Sequence, residues 1–195
     1  YNGFYMNEGN GMNLESMSLE ALWTLFPITF VSYTDRFKKV YLEEEKNLRS
    51  LLGETIIRIN HIGSTSIKNI KTKPIVDLLI EIDFNNKDNV KALLSTPPYI
   101  LMNETPTELS FVKGYTLDGY ADSVFHLHIK EYGDCDELYF RDYLNEMPLK
   151  ALEYEKLKLS LFKQCQPNRD LYTAGKTMFV KEVVQLAREK YKGRY

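Results

Sequence analysis

The chain has 195 residues, with 25 Lys or Arg against 27 Asp or Glu and a formal net charge of −2. That length supplies one sizeable core, or a core domain with a helical addition. The near balance of charge gives no strong field for nucleic acid or for a membrane surface, and the longest apolar runs are far shorter than a membrane span.

The cysteines and the first residues bear on location and domain organisation. Cys135 and Cys165 form no metal or redox motif, which suits a reduced, cytoplasmic protein. The chain does not open on the basic and apolar regions that are typical of a signal peptide. Residues 1–18 contain four Asn and three Gly and are predicted to be a flexible leader. Residues 19–195 are predicted to form a single domain.

The first half of the chain shows helical periodicity followed by extended runs. Residues 19–28 predict a short amphipathic segment, in which packing of Trp23 on the body is favoured over stacking on a ligand. The helix over residues 32–52 is expected to start at a capping box of Ser32 and Asp35 and to stop at Gly53. Strands are expected at residues 55–59 and 73–82, with a helical turn starting at Ser64, and the second strand is expected to be central.

The second half predicts more strands and then helices only. The fold class is therefore α+β, or mixed α/β, with a mixed sheet as its core and residues 137–195 as a carboxy-terminal helical part. Turn signals at Asp118-Gly119 separate two of the strands. The predicted elements are a helix at 86–94, strands at 99–102, 109–115 and 123–132, and helices at 137–147, 149–164 and 170–192.

The turn Gly63-Ser64-Thr65-Ser66 is a candidate phosphate-binding element. Glycine permits close approach of the backbone to a ligand, and Ser64 can cap a helix whose free N–H groups attract an anion. Three adjacent hydroxyls add donors. Taken alone, the pattern fits an ordinary strand-to-helix turn better, because short Gly/Ser motifs are common.

Asp77 makes a functional interpretation of this region stronger. It lies between Val76 and Leu78 in a strand that reads as buried, where a carboxylate must be paired, protonated or metal-bound. The structural alternative is a salt bridge, with Lys73 or Arg141 as the partner. Glu81 falls on the same face of the strand and is expected to be a surface charge at its end.

His126 and His128 project from one face of the strand SVFHLHIK. Such a pair can ligate a metal, bind a phosphate or act in acid–base chemistry, and the alternative is a pair of hydrogen-bonded core residues. His61 precedes the Gly63 turn, so all three histidines of the chain are predicted to lie in or against one site.

The helical end of the chain supplies cations. From Leu149 onward there are eleven Lys or Arg and five Asp or Glu, which predicts either a solvated helical surface or a basic wall that faces a phosphate. The pairs Tyr154–Lys158 and Tyr172–Lys176 each share a helix face and can present a ring and a cation to a nucleotide, as can Arg141. The alternative is that the lysine stems extend along packed helices.

The sequence resembles the GrpB family. The motifs that carry the resemblance are HIGSTSI, TKPIVDLLIEI, FHLHI, FRDYLNEMP, the Tyr154–Lys158 step and YTAGKTMFV, in order from about Phe37 to about Leu186. That family is similar in fold to the nucleotidyltransferase superfamily of DNA polymerase beta. The resemblance implies that the Gly63-Ser64 turn matches the superfamily's phosphate motif and that Asp77 matches its first metal carboxylate.

Two positions depart from the superfamily's pattern. Leu79 stands where a second carboxylate is expected, and the strand that would supply a third acid offers His126 and His128. One aspartate and two neutral imidazoles hold two Mg²⁺ ions poorly, although they can hold one softer ion such as Mn²⁺ or Zn²⁺. The predicted metal ligands are Asp77, His126 and His128, and the predicted cofactors are one divalent ion (Mg²⁺, Mn²⁺ or Zn²⁺) and a nucleoside triphosphate.

Two functions follow from these patterns. The first is an enzyme that transfers a nucleotidyl or phosphoryl group to a small acceptor, with Asp77, His126 and His128 as catalytic residues. The second is an inactive nucleotide-binding or regulatory module that acts with a partner enzyme, since some GrpB members occur fused to dephospho-CoA kinase. In both, a nucleotide or another phosphorylated small molecule is bound. Its predicted binding residues are His61, Gly63, Ser64, Thr65, Ser66, Lys73, Arg141, Lys158, Tyr172 and Lys176.

Overall fold

The structure is a computed structural model that describes residues 14–166 and 168–195. It has the predicted α+β class, with a five-stranded mixed sheet and helices on both of its faces. The helices are α1 (Leu19–Leu25), α2 (Arg36–Leu52), α3 (Lys87–Leu94), α4 (Asp136–Glu146), α5 (Pro148–Cys165), α6 (Arg169–Ala174) and α7 (Thr177–Lys190). The strands are β1 (Arg58–Ile62), β2 (Ile75–Ile82), β3 (Tyr99–Glu104), β4 (Glu108–Thr116) and β5 (Gly119–Glu131).

The strand order is β1-β2-β5-β4-β3. Strands β2 and β5 run parallel, and the other neighbouring pairs are antiparallel. β2 is an internal strand with both faces buried, which fits its near-continuous apolar sequence, while β5 is the middle strand of the five. The Asp118-Gly119 turn joins β4 to β5 as predicted, and Gly119 adopts a positive φ of 105° there.

The register decides which side chains share a face of the sheet. Asp77 is opposite Ile62 of β1 and opposite His126 of β5. Because side chains alternate along a strand, Asp77, Leu79, Glu81, His126 and His128 all project from one face.

The two faces are covered by different helices. On the face away from Asp77, α2 and α3 pack against β2, β4 and β5 in the largest apolar cluster, which includes Leu48, Leu78, Val90 and Leu127. On the Asp77 face, α4, α5 and α7 form a second cluster around Phe140, Tyr154 and Val183. On the same face, α1 and Phe26, the residue that follows it, cover β3 and β4. The Asp77 face is therefore the one that the carboxy-terminal helices enclose. The described residues include no helix with the length and apolar content to cross a membrane.

Several predicted boundaries differ from the structure. The first strand begins at Arg58 and not at residue 55, because residues 53–55 form a 3₁₀ turn after α2. The capping box at the start of α2 is wrong: Asp35 is the N-cap residue, and its side chain makes no capping hydrogen bond. The last predicted helix is divided into α6 and α7, because the Lys176 N–H bonds to the Thr173 carbonyl and tightens the chain there.

The predicted leader is only partly covered by the described residues. Residues 1–13 lie outside them. Residues 14–16 form a short 3₁₀ helix, and Leu14 is buried against Phe26, Ile100 and Val112, so this end of the predicted leader is packed on the fold. Ser18 then caps α1 by accepting a hydrogen bond from the Ala21 N–H.

Candidate functional site

The Asp77 side chain lines a cavity of about 590 Å³ between the sheet and the carboxy-terminal helices. A volume of this size lies within the range of small-molecule sites in proteins. Polar side chains enter the cavity from three directions: the Gly63 turn, strands β2 and β5, and helices α5 to α7. Those predicted as site residues are Gly63, Ser64, Lys73, Asp77, His126, His128, Lys158, Tyr172 and Lys176.

Gly63 brings the turn directly against the aspartate. It adopts a positive φ of 68°, and a Cβ atom built on it would overlap the Asp77 carboxylate. No other residue type fits here without strain or displacement of Asp77. The close approach of the Gly63 backbone to a ligand site was predicted; its neighbour here is the Asp77 carboxylate itself.

The three hydroxyls of the turn have different roles. Ser64 forms a hydrogen bond with the Thr72 hydroxyl and lines the cavity, but it does not cap a helix. Thr65 is buried and donates to the Ile75 carbonyl at 3.1 Å, and Ser66 donates to the Gly63 carbonyl at 2.6 Å. Thr65 and Ser66 therefore hold the turn together, and neither lines the cavity.

Asp77 lies between the two histidines of β5. Its Oδ1 atom is 3.4 Å from His126 Nδ1 and 3.9 Å from His128 Nε2. The alternative partners, Lys73 and Arg141, both lie in the described part of the chain and form no ion pair with Asp77. Although burial alone would raise the pKa of Asp77, the two imidazoles beside its carboxylate hold that pKa well below its usual range. Asp77 is thus a carboxylate in this site.

Each histidine uses its other ring nitrogen on a residue of β4. His126 Nε2 is 2.8 Å from the Tyr115 hydroxyl, and His128 Nδ1 is 2.8 Å from Glu108 Oε1. Burial lowers the pKa of His126, so its neutral ring can accept from Tyr115 and direct Nδ1–H toward Asp77.

His128 is charged, in contrast to His126. Burial would lower its pKa, but the neighbouring carboxylates of Asp77 and Glu108 raise the pKa of His128 to about 9. It is therefore an imidazolium between two carboxylates at neutral pH.

Three lysines line the same cavity. Lys73 follows the Gly63 turn, Lys158 lies on α5, and Lys176 precedes α7. In the part of the chain that the structure describes, none of the three has a carboxylate within ion-pair distance. The Lys158 ammonium donates to the Lys71 carbonyl at 2.7 Å. The nine lining residues named above, which include these three lysines, are called the lysine pocket below.

The lysine charges disfavour one another. Burial, followed by the charges of Lys176 and Arg169, lowers the pKa of Lys73 to about 8. Burial, with Lys176 and Lys73 nearby, lowers the pKa of Lys158 to about 7, and burial also lowers that of Lys176. The ring of Tyr172 lies 4.6 Å from Lys176 Nζ and 5.7 Å from Lys73 Nζ, close enough for both cations to interact with its face.

His61 and Arg141 lie outside the lysine pocket. Strand alternation places His61 on the opposite face of β1 from the residue that pairs with Asp77. His61 stacks on Tyr41 with ring centroids 5.0 Å apart and hydrogen bonds to Thr65 at 2.9 Å. Together with Thr65, Ser66 and Arg141 it lines a separate cavity of about 360 Å³, so the turn divides the predicted residues into two groups.

Glu81 is not the surface charge that its position near the end of β2 predicted. Its side chain is 0% exposed and accepts two hydrogen bonds from the guanidinium of Arg58, directly across on β1. The Gly133 N–H also donates to Glu81, at 3.2 Å. The prediction was wrong because α4 and the loop before it cover this end of the sheet.

Glu108 and Tyr115 were not predicted as site residues. Glu108 lies just before the predicted start of its strand, and Tyr115 is one of fourteen tyrosines with nothing in its local sequence to single it out. Their signal is a paired strand: β4 runs antiparallel to β5, with Ser110 opposite His128 and Val112 opposite His126. Counting back from Ser110 in steps of two finds Glu108, whereas Tyr115 reaches the same face only because the β4–β5 register shifts just before it.

The predicted metal ligands do not form a metal centre as arranged here. Across residues 14–166 and 168–195, no three or more His, Cys, Asp or Glu side chains are placed to hold a metal ion. Each imidazole already engages a β4 residue through one ring nitrogen, and the other ring nitrogens lie 3.4 and 3.9 Å from the Asp77 carboxylate. Metal binding at Asp77, His126 and His128 stays a prediction.

This chain is similar to known proteins both in sequence and in structure. The sequence profile described as GrpB protein matches residues 27–186. The UPF0157 protein YqkA of Bacillus subtilis is 32% identical over 185 residues, which cover 90% of this chain and 52% of YqkA. This chain therefore spans about half the length of that relative.

Two further relatives match over most of their length. The glutamate-rich protein GrpB of Alkalihalophilus pseudofirmus is 31% identical over 169 residues, which cover 80% of this chain and 94% of that protein. The crystal structure of the conserved protein GrpB from Enterococcus faecalis superposes with a TM-score of 0.73 at 28% identity, and the match covers 84% of this chain and 99% of that one.

Proposed function

The chain belongs to the GrpB family, and we propose that it binds a nucleotide or another phosphorylated small molecule in the lysine pocket. The observation that carries the proposal is the group of Lys73, Lys158 and Lys176, which line one cavity without a carboxylate partner among the described residues. Burying like charges together costs free energy that an anion in the cavity would recover. A phosphate, with several acceptor oxygens and a double charge, matches three ammonium groups well.

The Gly63 turn supports the same ligand from the other wall of the pocket. Ser64 lines the cavity there, and so does Gly63, which has no side chain to cover its backbone. His128 adds an imidazolium, and the other two acids that line the cavity, Asp136 and Glu137, are paired with basic residues outside it. A turn with glycine and serine, followed by a strand carrying an aspartate, also favours descent from the nucleotidyltransferase superfamily, which we include in the proposal.

A second candidate function is transfer of a nucleotidyl or phosphoryl group to a small acceptor. Asp77 favours it, because a carboxylate beside bound phosphates can orient an acceptor hydroxyl. Its lowered pKa makes it a weak base, however, and Leu79 is fully buried where the superfamily has a second carboxylate. These two facts support binding better than transfer.

A non-catalytic module that works with a partner enzyme is the corresponding alternative. It is favoured by the length of YqkA, of which nearly half lies outside the region that this chain matches. Incubation with γ-labelled and α-labelled ATP separates the two: released phosphate or pyrophosphate supports transfer, and binding without turnover supports the module. A cytoplasmic location is part of the same proposal, since nucleotides are cytoplasmic ligands.

The direct test of binding is calorimetric titration at pH 7 with inorganic triphosphate and with ATP, in the presence of EDTA. Saturable binding of at least one of them is expected. Lys176→Met should weaken it by about tenfold or more, the usual loss for a hydrogen bond to a charged group.

Lys156→Met is the matched control for this substitution. Lys156 is exposed on α5, two residues from Lys158, and it lies outside the lysine pocket. The Lys156→Met substitution changes the net charge by the same amount as Lys176→Met, and it should leave the affinity for triphosphate and ATP unchanged. If neither anion binds, or if both variants weaken binding equally, the proposal is wrong.

A further inference from the structure

A second cavity adjoins the lysine pocket. It has a volume of about 310 Å³ and lies between α1, α5 and α6. Its apolar wall consists of Trp23, Pro27, Ile28, Phe162 and Tyr172, and Arg169 is among its polar lining residues. These six residues define what is called the Trp23 cavity below. Its aromatic and apolar walls with a few polar groups are typical of sites for flat organic ligands.

Tyr172 is the common wall of the two cavities. Its side chain is 2% exposed, and it lines both the lysine pocket and the Trp23 cavity. The ammonium groups of Lys73 and Lys176 lie near its ring within the lysine pocket. A ligand group in one cavity is therefore separated from a group in the other by a single aromatic ring.

Arg169 provides the polar connection beside that ring. It lines the Trp23 cavity, and its guanidinium donates to the Tyr120 hydroxyl at 3.1 Å. Its positive charge is also near enough to Lys73 to lower the pKa of that residue. The same charge favours ionisation of Tyr115, whose hydroxyl is hydrogen-bonded to His126. The positive field of the lysine pocket thus continues to the edge of the Trp23 cavity.

We infer that the Trp23 cavity holds the heterocyclic base of a nucleotide whose phosphates lie among the three lysines. The inference rests on the proposed function and names its ligand class. The base lies against Trp23 and Phe162, its edge faces the polar residues of the cavity, and the sugar or first phosphate passes Arg169. The packing role that the sequence favoured for Trp23 leaves its exposed part free for this contact, since Trp23 is only half-buried.

The test uses the fluorescence of Trp23, which is the single tryptophan of the chain. Each of the four ribonucleoside triphosphates is titrated into the full chain, with excitation at the red edge of tryptophan absorption, and inorganic triphosphate is titrated in parallel by calorimetry. At least one nucleotide should quench Trp23 in a saturable way and bind about tenfold or more tightly than inorganic triphosphate, because stacking on an aromatic side chain contributes that much.

Three variants separate the inference from the proposal on which it rests. Trp23→Leu should remove most of the advantage of the nucleotide over inorganic triphosphate, and Trp23→Phe should retain part of it. Both should bind inorganic triphosphate like the wild type, which shows that the lysine pocket is still folded. Lys176→Met should weaken both ligands.

The outcomes are distinguishable. If inorganic triphosphate binds and no nucleotide binds more tightly or quenches Trp23, the inference is overturned and the proposed function survives. An unchanged nucleotide advantage in Trp23→Leu overturns it as well. If no anion binds at all, the proposed function itself fails.

Discussion

Asp77 and Glu81 lie four residues apart on one face of β2, and their surroundings differ completely. Glu81 is closed off from solvent and receives two hydrogen bonds from Arg58 and one from the Gly133 backbone. Asp77 is 22% exposed, faces the lysine pocket and is in contact with two imidazoles. One carboxylate has a full set of protein partners, and the other borders a cavity with more cations than anions.

The difference indicates which buried charges serve stability and which serve a ligand. A buried charge with well-matched partners contributes to the specificity of the fold. Unpaired cations that line one cavity instead weaken the empty protein, so their presence is better explained by a ligand. The substitutions below test this division.

The largest effect is expected for Arg58→Met, which leaves Glu81 buried without its charge partner. The free energy of unfolding should fall by about 3–5 kcal/mol, the usual loss when one member of a buried pair is removed. Arg49→Met is the control, because Arg49 pairs with Glu45 on the exposed side of α2 and such pairs contribute under about 1 kcal/mol. Urea denaturation measures both, and equal losses would contradict the role given to Glu81.

Gly63→Ala should have the next largest effect. The substitution forces a positive φ on an L-residue and places a methyl group against the Asp77 carboxylate. We expect a loss of about 1–3 kcal/mol in urea denaturation, together with weaker binding of triphosphate because Asp77 and the turn move. Gly53→Ala shares the backbone strain but has no atom within 4 Å of the added methyl group, so it isolates the contact with Asp77.

Asp77→Asn should change stability less than Arg58→Met, because the site is partly exposed and His128 keeps Glu108 as a partner. Its clearer effect is on ionisation. Loss of the Asp77 charge should lower the pKa of His128 from about 9 by about one unit or more. Titration of the ring protons by NMR measures this, and an unchanged pKa would show that Asp77 and His128 do not interact.

The smallest effect is a pH dependence carried by His128. Its pKa in the folded chain, about 9, lies above the ordinary value of 6.5, so its stabilisation is fully present below about pH 6.5 and is lost as the pH rises through 9. His128→Gln should therefore destabilise the protein more at pH 7 than at pH 9.5, by up to about 2 kcal/mol for a pKa shift of this size.

His61→Gln is the control for that comparison. Burial lowers the pKa of His61 to about 4, so this imidazole is neutral throughout the range from pH 7 to pH 9.5. Its substitution should have the same cost at both values. A cost that is independent of pH for His128→Gln as well would contradict the raised pKa.

The fold was predictable where local patterns were strong. The period of α2, the apolar run of β2 and the Asp118-Gly119 hairpin each identify their element. The division between α6 and α7 was not predictable, because it depends on one tight turn between Thr173 and Lys176 within a continuous helical pattern. The start of β1 was misplaced because β-branched residues at 55–57 fit a strand locally, whereas Gly53 begins a turn there.

Lys158, Tyr172 and Lys176 were predicted one by one, and only the residues of the sheet could be placed relative to one another. Strand alternation by itself puts Asp77 on the same face of its strand as Leu79, and His126 on the same face of its strand as His128. The position of His61 required the β1–β2 register, and that of Glu81 required knowledge of what covers the sheet. The convergence of Lys73, Lys158 and Lys176 depends on how α5 to α7 pack, which short-range patterns do not determine.

The most direct test of the lysine pocket is proton uptake during ligand binding. ATP is titrated at pH 8 with EDTA, in buffers of different ionisation enthalpy. Its terminal phosphate, with a pKa of about 6, is already ionised. At this pH Lys158, with a pKa of about 7, is largely neutral in the free protein, and Lys73, with a pKa of about 8, is half neutral. A bound anion favours the charged form of both lysines. We predict that the protein takes up about one proton on binding ATP and that Lys158→Met takes up less; binding without proton uptake, or with proton release, would contradict a pocket of partly neutral lysines.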